Sequence, residues 1–247
     1  MFDAYIAVDW SAASKPRHGQ DSVWLCVHGS EPENPRTRAA ATERVRDLLR
    51  AHVREGQRVL VGFDFPYGYP HGFGAWRETW ELLSTEIRDD DENRNNRFDV
   101  AARINRRFGG GGPFWGGGVS RKRGSLAGLA EFRETDRGLR VQSPWKLWGA
   151  GSVGGQALVG IPRVASLRDD PELRAVSRVW PFEPLNGAQI VHAEIWPGTV
   201  PLEPRHPIRD AAQVATVVAH WARLDAAGAL EALFDRPATD EGWILGA

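Results

Sequence analysis

Val59-Leu60-Val61-Gly62-Phe63-Asp64-Phe65 is the stretch on which the fold turns. It is apolar almost throughout, the pattern of a strand covered on both faces of a sheet, and Pro66-Tyr67-Gly68-Tyr69-Pro70 ends it. Upstream, Val45, Leu48, Leu49 and His52-Val53 recur at helical spacing and predict a helix over about 40–55. Before it come predicted strands at about 3–9 and 22–28 and a short extended piece near Arg36-Thr37-Arg38. Three strands, a helix and a further strand belong to an α/β sheet whose first half is antiparallel. Downstream, helices are predicted over about 73–87 and 94–108. The sheet resumes at about 189–196, a helix runs from Pro207 in its first turn to about Ala227, and a short helix follows near 229–234. At 247 residues this makes one domain, with 71–177 read as an insertion that caps the sheet.

Four acids stand where a charge is expensive. Asp9 ends the apolar run Ala4-Tyr5-Ile6-Ala7-Val8, Asp64 interrupts the run quoted above, and Glu194 lies within Ile190-Val191-His192-Ala193-Glu194-Ile195-Trp196. Asp210 opens a helix whose positions 214, 217, 218 and 221 are Val, Val, Val and Trp. A buried carboxylate costs several kcal/mol, on the order of a whole domain's margin, unless it is paired or binds a metal. Three strand-end acids converge at one sheet edge if those strands are neighbours, the place where α/β proteins bind ligands. The helix face bearing Asp210 packs on the same sheet and turns its carboxylate toward them. Such a set of oxygens suits Mg²⁺ or Mn²⁺, and two such ions about 4 Å apart serve phosphoryl transfer. The competing reading is structural: each acid caps or pairs locally, as Asp210 near a helix N-terminus can.

Composition sets the bounds. Hydrophobic residues make up 42% and charged residues 26%, ordinary for a soluble folded chain. No apolar run reaches ten residues, too short for a membrane span, and no signal segment precedes the first strand. A single cysteine, Cys26, excludes an internal disulfide and a cysteine zinc cage, so the cytoplasm is the expected compartment. The net charge of −1 announces no polyanion partner for the whole chain. From 94 to 146, however, twelve Arg and Lys stand against four Asp and Glu, around the run Gly109 to Gly112 and the run Gly116 to Gly118. This is either a basic, glycine-flexible cap over a substrate or an ordinary solvated helical face.

Asp9-Trp10-Ser11, Gly62-Phe63-Asp64-Phe65-Pro66, Ala193-Glu194-Ile195-Trp196-Pro197 and Arg209-Asp210-Ala211-Ala212, in this order across nearly the whole chain, resemble an uncharacterised family of predicted nucleases with a ribonuclease H fold. The resemblance implies a ribonuclease H-like mixed sheet with flanking helices and a helical, Gly-rich insertion. It implies that Asp9, Asp64, Glu194 and Asp210 are catalytic metal ligands. Ribonucleases H ordinarily carry an acidic ligand on the helix after the third strand, where this chain has Glu43, Asp47 and Glu55; Glu194 is left to supply the fourth carboxylate.

Other residues are candidates for the substrate. Ser11, Lys15 and Arg17 follow Asp9; Arg121, Lys122 and Arg123 follow a glycine hinge; Trp10, Trp115 and Trp148 can stack on bases. Gly149-Ala150-Gly151-Ser152-Val153-Gly154 fits the GxGxxG pattern but lacks the buried strand that a dinucleotide site requires. A helix N-terminus at Ser152 that contacts a phosphate, helped by Lys146, suits it better. A Ser152, Asp210, His220 triad has the chain order of a hydrolase, but His220 lies three helical turns beyond Asp210. His192-Ala193-Glu194 lacks the cysteines of a zinc deaminase, so His192 is a core histidine or a neighbour of the acids. The expected function is a Mg²⁺- or Mn²⁺-dependent hydrolase of phosphodiester or other phosphoryl substrates. Its partner is nucleic acid or, if the insertion closes as a lid, a small phosphorylated metabolite or nucleotide. A non-catalytic binding module is the alternative of another class.

Overall fold

The computed structural model of this chain describes residues 1–119 and 126–247; Arg121, Lys122 and Arg123 lie outside the described residues. Its centre is a mixed five-stranded sheet in the order β2-β1-β3-β5-β4. Strand β1 (Ala4–Asp9) pairs antiparallel with β2 (Trp24–Val27) and parallel with β3 (Val59–Asp64). Strand β3 pairs parallel with β5 (Ile190–Glu194), and β5 parallel with the short edge strand β4 (Ser177–Val179). The extended piece expected near Arg36–Arg38 is reduced to one antiparallel bridge, Leu25 with Glu33. Arg38 already opens helix α1 (Arg38–Arg54), which Thr37 caps by accepting from the Ala40 amide.

Period-2 alternation sorts the strand residues onto two faces. Ile6, Val8, Trp10, Val61, Phe63 and Phe65 face a core shared with α1, α2 (Trp76–Glu86), α3 (Arg97–Arg107) and α4 (Val153–Arg168). Tyr5, Ala7, Leu60, Val191 and Ala193 face the second core, built on α5 (Arg209–Ala226) through Val214, Val217, Val218 and Trp221. Gly62 makes room for α5, because a Cβ there would sit 2.6 Å from the Trp221 ring. The α5 helix starts later than its proline suggested: Ile208 is the N-cap and Pro207 lies outside.

Strand β4 has no counterpart in the sequence reading, and helix α4 runs on from the helix N-terminus read at Ser152, further than the sequence marks. Helix α4 is largely buried, from Gly154 through Leu158 and Ile161 to Leu167, and its polar residues are few and mostly toward its C-terminal end, so the 3.6-residue period is weak. Its glycines and Pro162 further disguise it as loop. Gly160 is required at its place, since a Cβ would meet the Phe65 ring at 2.5 Å. The tryptophans of the glycine-rich stretches also divide. Trp10 and Trp145 are core residues, Trp145 stacked on Tyr69 at 4.9 Å, and Trp148 alone of the four-residue set Trp10, Trp115, Trp145 and Trp148 is open, at 63% exposure. Among the described residues no helix is long and apolar enough to cross a membrane.

Candidate functional site

The parallel pairing of β1 with β3 sets Asp9 directly opposite Asp64. Trp10, Phe63 and Phe65 lie in the α4-side core, so alternation sends both carboxylates out on the α5 side. Asp210, in the first turn of α5, meets them there. All three line one cavity of about 920 Å³ at the carboxyl ends of β1, β3 and β5, and Glu194 also lines it. Asp21 is a further member that the strand pattern did not reveal. It sits in the loop between β1 and β2 with φ of +56°, and its amide donates to Asp210 Oδ2 at 2.7 Å. Its signal in the sequence is only an acid shortly before a strand.

These carboxylates repel one another. Burial, then the charges of Asp64, Asp210 and Asp21, push the Asp9 carboxyl well above its usual range. Burial, then Glu194 and Asp210, push Asp64 up to about 7. The donor set is all carboxylate oxygen, the chemistry that Mg²⁺ and Mn²⁺ prefer, and a dication would reverse the cause of both shifts. Among the described residues no group of three or more His, Cys, Asp or Glu is placed so that it could hold a metal ion.

Glu194 departs from the role expected of it. It is the Cα partner of Phe63, not of Asp64, so its side chain leaves the sheet on the α4 side. There Arg133 grips both of its oxygens at 2.6 Å, and the Tyr67 amide donates to Oε2 at 2.9 Å. Arg133 also binds Asp136 at 2.9 Å and 3.1 Å, and all three side chains are buried. Burial alone would lower the Arg133 guanidinium, but Glu194 and Asp136 more than offset it and hold it above its ordinary range. Burial pushes Glu194 up against the opposing pull of Arg133. Glu194 is therefore a paired wall residue rather than a free ligand. Its partner Arg133 was missed because the two are 61 residues apart and Arg133 sits in an irregular segment ending in a single 3₁₀ turn.

The expected substrate residues divide as well. Ser11 lines the cavity and ties its loop, its hydroxyl donating to the Asp21 carbonyl at 2.9 Å. That loop is anchored from below by Arg38, which is fully buried, pairs with Asp89, and donates to the Ser11 and Ala13 carbonyls at 2.9 Å and 2.7 Å. Lys15 is exposed and is not among the cavity-lining residues. Lys146 spends its ammonium inside its own loop, on Gln142 Oε1 at 2.8 Å and the Ala150 carbonyl at 2.7 Å. Ser152 is the N-cap of α4 and lines the cavity, as do Gly149, Ala150 and Gly151. No strand precedes this glycine run: Lys146 makes only an isolated bridge with Trp115. His192 is a core residue, with Nε2 on the Ser177 hydroxyl at 2.8 Å, and burial lowers it to about 3. His220 does not line the cavity that Ser152 and Asp210 share. Arg17, an expected candidate, lines it, and so do Arg97, Arg140 and Gln156, which no sequence motif marks.

Comparison with known proteins adds no relative: no family model matches the chain, and no curated protein or solved structure matches it.

Proposed function

We propose that this protein is a ribonuclease H-like, Mg²⁺- or Mn²⁺-dependent hydrolase of phosphate esters, with Asp9, Asp64 and Asp210 as the metal-holding carboxylates. The fold reading is supported by the sheet itself: an antiparallel β2-β1 pair continues into parallel β1, β3 and β5, with α1 between β2 and β3 and α5 behind. The observation that carries the functional reading is the pair Asp9 and Asp64, adjacent in register, both raised first by burial and then by neighbouring carboxylates. Perturbed carboxylates of this kind gather at functional clefts. When bound, a dication polarises a phosphoryl oxygen and makes water a stronger nucleophile at neutral pH. The chain's own part is to hold three carboxylates at one rim, to fix the Ser11 loop through Arg38, and to enclose the substrate.

The size of the cavity favours a small phosphorylated substrate over a nucleic acid duplex. About 920 Å³ falls within the range of small-molecule sites and accommodates a nucleotide, and the net charge of −1 offers no general attraction to a polyanion. The test is hydrolysis by chelator-treated protein with Mn²⁺ restored, across nucleoside monophosphates, a phosphodiester dinucleotide and single-stranded DNA and RNA. Metal-dependent turnover that disappears in Asp64→Asn supports the reading. Saturable ligand binding without turnover in any of these would make the protein a binding module instead.

A further inference from the structure

We infer that the cavity contains a second, cationic subsite, formed by Arg97 and the N-terminal turn of α4, that holds a terminal phosphate monoester. Arg97 is only 5% exposed, lines the cavity, and lies over the Phe98 ring with its guanidinium carbon 4.4 Å from the centroid. Its contacts to protein are neutral: Nη1 donates to Asn95 Oδ1 at 2.7 Å and to Ser14 Oγ at 3.2 Å, and the buried Nε has no partner. Among the described residues no carboxylate pairs with it; the nearby Asp89 is taken by Arg38 and Arg163. Burial, followed by the charge of Arg38, lowers the Arg97 guanidinium to about 10. A buried, unpaired guanidinium costs several kcal/mol, on the order of what one good ion pair returns, and an anion in the cavity removes that cost.

The second component lies against the first. A Cβ on Gly155 would come within 3.3 Å of Arg97 Nε, so the guanidinium rests on the first turn of α4. The first four amides of a helix have no intrahelical acceptor. In this turn Gly154 N–H is spent on the Lys146 carbonyl at 3.0 Å and Ser152 N–H on the Gly149 carbonyl at 3.1 Å. Ser152, Val153 and Gln156 of this turn all line the cavity. The helix is 16 residues long, so its dipole adds positive potential at this end. Arginine and a helix N-terminus together match a tetrahedral oxyanion, with bidentate donors on one side and amides on the other. Lys146, the cation expected from sequence, is already engaged. That the phosphate belongs to the substrate rests on the hydrolase reading above; the subsite itself rests only on Arg97 and α4.

The experiment is calorimetric titration of chelator-treated protein with AMP, with adenosine and with inorganic phosphate. The wild type is expected to bind AMP at least tenfold more tightly than adenosine, and to bind inorganic phosphate saturably. Arg97→Gln should weaken AMP at least tenfold toward the adenosine level, with melting temperature unchanged or raised because an unpaired charge has gone. Ser152→Asp keeps an N-cap residue, so folding is preserved, and it should weaken AMP similarly by filling the subsite with negative charge. Equal binding of AMP and adenosine, or AMP binding indifferent to both substitutions, would overturn the subsite. Mn²⁺ titration of the same variants separates the two ideas. Mn²⁺ binding retained in Arg97→Gln while AMP binding is lost supports the subsite, whereas AMP binding retained where Mn²⁺ never binds sinks only the metal reading.

Discussion

Two groups of acids face one cavity, and they are neutralised differently. On the α4 side, Glu194 and Asp136 share the buried Arg133, whose fork satisfies both carboxylates. On the α5 side, among the described residues, no such arginine pairs with Asp9, Asp64 or Asp210; burial first, then neighbouring carboxylates, push Asp9 and Asp64 above their usual range. The two groups are separated by one position in register, since Glu194 pairs with Phe63 while Asp9 pairs with Asp64. One step along a strand reverses the face. The first group is an ion-pair network closed by the chain itself; the second lacks such a partner among the described residues, and the proposed function assigns its charge to a bound cation.

The largest expected effect comes from breaking the closed group. Arg133→Ala leaves two buried carboxylates uncompensated and should destabilise the protein by about 3–5 kcal/mol, read as a fall in the denaturation midpoint with unchanged slope. Asp136→Asn removes one partner but leaves the Glu194 pair, so a loss of about 1–3 kcal/mol is expected in the same assay. The open group should respond in the opposite direction. Asp64 is raised in the fold from its ordinary 3.8 to about 7. Its stabilising effect is complete below about pH 4 and is lost as pH rises through 7. Metal-free wild type should therefore weaken between those limits, and Asp64→Asn should flatten the slope and be the more stable protein, by on the order of 1–2 kcal/mol, at pH 8. If instead Asp64→Asn melts lower than wild type at pH 8 without metal, Asp64 is a structural partner and the contrast fails. The smallest effect is expected at Lys146→Ala, which loses exposed contacts to Gln142 and Ala150 only. Less than about 1 kcal/mol and no change in cation affinity should follow.

Much of this contrast was legible in the chain. The apolar runs ending in Asp9, Asp64 and Glu194 mark β1, β3 and β5, and the Val214, Val217 and Trp221 stripe marks the face of α5 that carries Asp210. Run lengths do not reveal register, so the opposite facing of Glu194 was invisible: three similar strand ends read as one cluster. Arg133 and Arg97 lay hidden for a different reason. Each is one arginine among many in a basic stretch, and only tertiary packing distinguishes a buried guanidinium from a solvated one. Of helix α4 only the start at Ser152 is legible, because extensive burial together with its glycines and Pro162 blurs the periodicity by which helices are read.

In the proposed function Asp9, Asp64 and Asp210 together bind a divalent cation while Glu194 remains with Arg133. The most direct measurement is titration of Mn²⁺ into chelator-treated protein at pH 7.5, following the electron paramagnetic resonance signal of the free ion. Saturable loss of that signal is expected with wild type, and little loss with folded Asp9→Asn or Asp64→Asn protein. Equal depletion of free Mn²⁺ by wild type and by both variants, or none by wild type, would contradict it.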